Sequence, residues 1–170
     1  MKNIIKRSTG IVLIIWVALC FSSCNDFNFN LLGEETDNTE SVATPDTTYI
    51  QAEKVHGKYI TVEDYANSQE IQEELQTYQS TFSDNFIIKI YGDGNNFIYE
   101  FKYLEKIPSS DVQIRKQEIE KSLEEQKNTY TDIAKDIAKK VTIDKKDVIV
   151  AIRYINADDS LITEVDFTAE

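Results

Sequence analysis

Apolar and polar positions repeat with two different periods along this chain, and each period marks a different kind of element. After an unbroken apolar run at residues 11–21, no sustained apolar pattern returns until about Ile60. From there Ile71, Leu75, Tyr78 and Phe82 recur at helical spacing and form one apolar stripe. Thr61-Val62-Glu63-Asp64 has the form of a capping box with Asp in place of Glu, and Ser68 offers a second helix start. The pair Asn67-Ser68 therefore predicts a break between a short helix and a longer one.

The period then changes to two. Residues 86–91 and 97–103 alternate as strands, with Asp93-Gly94 between them, a pair suited to a two-residue type I′ turn. Centring the turn there sets Ile90 against Phe97, Ile88 against Tyr99 and Phe86 against Phe101, all on one face of the hairpin. Beyond Pro108 the helical period resumes. Ser110 is placed to cap, and Val112, Ile119, Leu123, Tyr130, Ile133, Ile137 and Val141 mark the buried stripe. A helix of roughly 30 residues would span about 45 Å, against about 30 Å for a nine-residue strand. A bend is expected near Asn128-Thr129. A second hairpin follows at residues 148–155 and 161–167, turning around Asn156-Ala157-Asp158-Asp159.

The two hairpins overlay without a gap: Ile88 on Ile152, Lys89 on Arg153, Ile98 on Ile162 and Glu100 on Glu164. That overlay reads either as an internal helix-hairpin duplication or as two independently amphipathic hairpins. One such unit is too small to bury its own sheet face, so the two should share a core. The fold expected is α+β: an αββαββ two-layer sandwich, with a four-stranded antiparallel sheet and the helices on one face.

The other sheet face is then the candidate binding surface. The register turns Ile87, Lys89, Tyr91 and Ile98 outward from the first hairpin, and Ile149, Arg153, Ile155 and Ile162 outward from the second. A solvated antiparallel face usually reads more polar than this, and exposed apolar patches often mark partner sites. Lys89 and Arg153 are expected to pair diagonally with Glu100 and Glu164, framing an apolar patch with charge.

The start of the chain adds an address. Lys2, Lys6 and Arg7 precede the apolar run, and Ser22-Ser23 precede Cys24. Basic residues, a short apolar core and small residues are read in that order as an export signal. A cysteine at the cleavage point makes it a bacterial lipoprotein signal, with Cys24 the lipid attachment residue. The run is shorter than the roughly 20 apolar residues of a spanning helix. The expected organisation is a signal peptide at 1–23, a lipid-anchored acidic tether at 24–58 and a globular domain at 59–170. The tether would reach roughly 30–35 Å as a flexible chain and at most about 120 Å when stretched. The expected location is the outer face of the bacterial plasma membrane, with the membrane itself as a partner through the N-terminal lipid.

Charge narrows the partners. Residues 24–170 carry 15 basic and 30 acidic side chains. So acidic a surface repels phosphate backbones, which argues against nucleic acid. Both cysteines lie at or before position 24, so no disulfide is expected in the domain. His56 is the only histidine, which leaves little for a catalytic triad or a histidine metal site. Neither Asp93 nor Asp158-Asp159 sits in the alternating ligand pattern of a calcium loop. No catalytic residues, metal or cofactor are therefore assigned.

The stretches ITVEDYANSQEIQEELQTYQSTFSD, IKIYGDGNNFIYEFKY and IRYINADDSLITEVDF, joined by a long Gln- and Glu-rich helix, resemble an uncharacterised family of small Gram-positive lipoproteins catalogued as a domain of unknown function. The likeness covers about residues 60–170. Its marks are the Asn-Ser break, a Tyr-x-Asp-Gly-Asn turn and a late Asn-Ala-Asp turn, in which Asp159 stands where glycine is expected. The resemblance implies a surface-tethered αββαββ domain and supplies no activity. The functional expectation is a non-enzymatic module that holds a protein, peptide or wall ligand on the open sheet face. The alternatives are a carboxylate-dependent cell-wall hydrolase and a purely structural envelope protein.

Overall fold

The computed structural model describes residues 54–169. The stretch read as an export signal, Cys24 and most of the expected tether lie outside the described residues. The first described residues, read as the end of the tether, form a small hairpin of β1 (Lys54–Val55) and β2 (Lys58–Tyr59). His56 and Gly57 both have positive φ (51° and 79°), the pattern of a type I′ turn. Lys54 lies 4.2 Å from the centre of the Tyr59 ring. Tyr59 is itself in the core, and its carbonyl accepts from the Thr142 backbone amide at 2.9 Å. Tyr59 thus joins this hairpin to the folded unit.

Helix α1 (Val62–Ala66) starts with the capping box read from the sequence. The Asp64 amide donates to Thr61 Oγ1 at 2.9 Å, and the Thr61 amide donates to Asp64 Oδ2 at 3.0 Å. Asn67 and Ser68 separate it from α2 (Gln69–Phe82). Helix α2 buries Ile71 and Phe82 and packs Leu75 and Tyr78 against the core. The long predicted helix is two: α3 (Ser109–Glu125) and α4 (Lys127–Lys140), broken at Gln126. The break comes two residues before the expected bend. Pro108 rather than Ser110 occupies the capping position, and Ser110 Oγ donates to Asp111 instead.

The main sheet contains β3 (Phe86–Asp93), β4 (Asn96–Tyr103), β5 (Ile149–Ile155) and β6 (Leu161–Thr168), in that spatial order. The hairpins β3–β4 and β5–β6 are antiparallel, but the central pair β4–β5 is parallel. The sheet is therefore mixed, not the fully antiparallel sheet expected. The reason is the crossover. Helices α3 and α4 return the chain to the end where β4 begins, and the Ile149 amide there donates to the Asn95 carbonyl at 3.1 Å.

The parallel centre also settles the overlay of the two hairpins. Both keep the same face toward the helices and the same lateral order, yet they run in opposite directions along the sheet. No rotation superposes two such hairpins. Their likeness is one of burial pattern: Ile88 and Ile152 both face the helices, in units of opposite hand.

The first hairpin turns at Gly94-Asn95, with Asp93 opposite Asn96. Ile90 therefore faces Tyr99, Ile88 faces Phe101 and Phe86 faces Tyr103, two residues beyond the expected register. Gly94 alone has positive φ (59°), which suits a type II′ turn and its glycine at the first central position. A slip of two leaves every side chain on its expected face.

All four α-helices of the described residues lie on one face of the sheet. Helices α1 and α2 cover β3, while α3 and α4 cover β5 and β6. One continuous core joins Val62, Ile71 and Phe82 to Ile119, Leu123, Tyr130 and Ile137 across the inward residues of all four strands. Gly92 lets α1 approach β3: a Cβ there would lie 2.4 Å from the backbone N and Cα of Glu63. The result is an α+β two-layer sandwich in which, among the described residues, no helix packs on the other sheet face.

Candidate functional site

The uncovered face is built from four strands whose outward residues form cross-strand rows. One row is Lys89, Glu100, Arg153 and Glu164, paired in that order from β3 to β6. Charge alternates along it. Lys89 Nζ lies 3.3 Å from Glu100 Oε1, and Arg153 Nε donates to Glu164 Oε2. The pairing runs straight across the strands rather than diagonally, because directly opposed side chains are the nearest neighbours in a sheet. Arg153 Nη1 also lies 3.8 Å from Glu100 Oε2.

Tyr91 ties this row to the next. Its hydroxyl donates to Glu100 Oε2 at 3.0 Å and accepts from Arg153 Nη1 at 2.6 Å. Tyr91 is on β3 and Arg153 on β5, so their bond spans β4. Burial and the Glu100 hydrogen bond raise the Tyr91 pKa, which keeps the phenol protonated as donor. The hydrogen bond to Glu164 raises the Arg153 pKa against the opposing effect of burial.

The network changes the picture of an apolar patch. Ile98 faces away from the helices but is only 1% exposed, as is Ala151 beside it. Both are outside the main core and sit in the row next to the charged one, with Tyr91 opposite Ile98 on β3. Ile162 was also expected outward. It is 5% exposed and part of the core, because the ladder is irregular at Tyr154–Ile155: Ile155 pairs with Leu161 and Tyr154 with Thr163. Ile162 is the extra residue between those pairs, and the bulge turns it inward. Leu161 takes its place on the surface at 57% exposed.

Ile87, at 42% exposed, stands at the opposite edge of the same row as Leu161, and Ile149 and Ile155 are half-buried. Of the eight expected residues, then, Lys89, Tyr91 and Arg153 form the polar centre. Ile87, Ile149 and Ile155 form apolar flanks, and Ile98 and Ile162 are removed from the surface. Leu161 was missed because its exposure follows from the bulge, which alternation does not reveal.

On β4, between Ile87 and Ile155 in that row, Lys102 Nζ pairs with Asp159 of the β5–β6 turn at 2.6 Å, and Lys106 pairs with Asp158 at 2.8 Å. Asp159 has a φ of 67°, the glycine-like conformation its position implied. Lys106 also borders a groove of about 440 Å³ lined by Tyr103, Ile107, Ile114, Arg115 and Glu118.

A second cluster lies on the helical side and was not read from the sequence. Glu74 on α2 is held up to a pKa of about 7, first by burial and then by the charge of Glu70 one turn earlier. Tyr78 donates to it, which partly offsets both. Glu70 accepts from Tyr65 at 3.3 Å and pairs with Lys140 at 2.9 Å. A carboxyl titrating near neutrality is suited to proton transfer. Its signal in the sequence was slight: Glu70, Glu74 and Tyr78 at successive four-residue steps along α2. Among the described residues no group of His, Cys, Asp or Glu is arranged to hold a metal ion, and no helix is long and apolar enough to cross a membrane.

This fold, a mixed four-stranded sheet covered on one side and bearing charge on the other, has a family. Residues 62–167 match the model of the Domain of unknown function (DUF4854), and the chain belongs to that family. No curated protein and no solved structure matches it.

Proposed function

We propose that this chain is a lipoprotein of the Gram-positive cell envelope, acylated at Cys24, whose uncovered sheet face is a protein-binding surface. The reading of the N-terminus rests on the basic, apolar and small-residue order that ends at Cys24. The observation that carries the binding role is the row Lys89–Glu100–Arg153–Glu164 with Ile87 and Leu161 exposed at the two edges of the neighbouring row. Polar side chains held in fixed positions between apolar flanks give orientation as well as contact.

A photo-crosslinking residue placed at Ile87 or Leu161 of the full chain in cells tests the binding role. Adducts are expected at both positions, and not at Ile114, which is equally exposed but lies on α3. Equal labelling at all three positions would end this reading. For the anchor, Cys24→Ala is expected to move the chain from the detergent phase to the aqueous phase.

Glu74 favours a second reading, the carboxylate-dependent hydrolase, because its pKa near 7 suits a general acid. Cell-wall lysis by the full chain that is lost in Glu74→Gln would support it.

A further inference from the structure

We infer that the partner of the uncovered sheet face is a second copy of this chain, docked face to face about a two-fold axis parallel to the strands. This rests on the reading of that face as a binding surface. The argument is one of symmetry. A two-fold axis along the strands reverses their lateral order and keeps position along them. It sets β3 over β6 of the second copy and β4 over β5.

The charged row is + − + − from β3 to β6. Reversed, it becomes − + − +. Lys89 then meets Glu164 of the second copy, and Glu100 meets its Arg153. In the neighbouring row, Ile87–Lys102–Ile155–Leu161, the exposed Ile87 at one edge meets the exposed Leu161 at the other, while Lys102, already paired with Asp159 of its own chain, meets Ile155. A two-fold axis that runs across the strands, through the charged row, also stacks the faces. It sets each strand over itself and brings Lys89 against Lys89 and Glu164 against Glu164. The charge pattern selects the first axis and rejects the second.

The selected axis has a further consequence. Rotation about the strand direction leaves both Lys54 residues at the same height along that axis. The two preceding segments therefore leave from the same end of the dimer, as anchorage in one membrane requires. Strands of the two sheets are also aligned, the usual arrangement of stacked sheets.

Size sets the strength. Four strands about 4.8 Å apart and seven or eight residues long make a face of roughly 500 Å² per copy. That is near the lower limit for a specific interface, about 1,000 Å² in total. The dimer is accordingly weak in free solution and reinforced where two chains share a surface.

The test is a charge exchange in the full chain, extracted in mild detergent and followed by sedimentation of a labelled copy. Wild type is expected to self-associate reversibly. Lys89→Glu and Glu164→Lys are each expected to weaken self-association by about tenfold, since each brings like charges together at both edges. An equimolar mixture of the two is expected to recover association to within about threefold of wild type, as a heterodimer only. A sheet damaged by substitution cannot be repaired by mixing, so recovery does not arise from misfolding. Wild type that stays monomeric, or variants that do not recover on mixing, would overturn the dimer. If wild type is monomeric while Ile87 still crosslinks to another protein, the binding role of the face survives and the self-association alone falls. If no crosslink forms, both fall.

Discussion

Asn156 holds the backbone of Ile107 at both polar groups. Its Oδ1 accepts from the Ile107 amide at 2.9 Å and its Nδ2 donates to the Ile107 carbonyl at 3.1 Å. Asn156 is buried at the end of β5, and Ile107 opens the crossover that leads to α3. The side chain thus acts as one rung of a strand and fixes where the crossover departs. Asn156→Ala leaves both backbone groups of Ile107 without these partners and is expected to cost about 2–3 kcal/mol. Asn156→Asp keeps the shape but loses the donor and adds a buried charge, so it should cost more than alanine. Urea unfolding of the three proteins checks the order.

Gly92 gives a backbone prediction of a different kind. Its φ is ordinary, so the requirement for glycine comes from space alone. Adding a methyl group at 2.4 Å from the Glu63 backbone forces α1 away from β3. Gly92→Ala is expected to cost about 2 kcal/mol or more. Hydrogen exchange should show the loss concentrated at residues 62–66.

How far the sequence reaches is clearest in the two hairpins. Parity is local: alternation alone told that Phe86, Ile88 and Ile90 share a face, and a register wrong by two left this intact. Direction is not local. Nothing in the period of β5 tells whether it runs with β4 or against it, and only the helical crossover decides. The capping box at Thr61 was readable because its two hydrogen bonds join residues three apart. The burial of Ile98 was not, because its neighbour Ala151 is brought beside it only by the parallel pairing of β4 with β5. Ile162 and Leu161 exchanged roles through a single extra residue in the ladder.

That exchange is itself testable. Ile162→Ala should cost about 2–4 kcal/mol as a core truncation, whereas Leu161→Ala should change stability by less than about 0.5 kcal/mol. Thermal or urea unfolding of the pair distinguishes the bulged ladder from the regular one, in which the effects would be reversed.

Glu74 makes stability depend on pH. Its pKa is raised from the usual 4.5 to about 7 in the folded chain. The folded state therefore binds more protons than the unfolded state between those values, and stability falls as pH rises through that window. The stabilisation is fully present below pH 4.5 and lost above about 7. Allowing for its partial exposure to solvent, the change is about 1–2 kcal/mol. Asp158, held low first by Lys106 and then by Ser160, acts in the opposite sense, but only as pH falls through its usual 3.8 and below. Glu74→Gln removes the titrating group and keeps an acceptor for Tyr78. It is expected to flatten the stability profile between pH 5 and 8, measured by urea unfolding.

Gln79 guards the outer edge of the sheet. Among the described residues strand β3 has no neighbouring strand on one side, and such an edge is a template for pairing with another chain. Gln79 reaches down from α2 and occupies part of it: Nε2 donates to the Phe86 carbonyl at 3.0 Å, and Oε1 accepts from the Ile88 amide at 2.8 Å. The amide side chain matches the strand's own donor and acceptor, as a paired strand would. Gln79→Leu keeps the volume but leaves both groups open at the edge. The expected cost is about 1–2 kcal/mol, together with concentration-dependent association through the freed edge. Light scattering at rising protein concentration separates this from the face-to-face dimer, because Lys89→Glu would suppress the dimer and leave edge association in place.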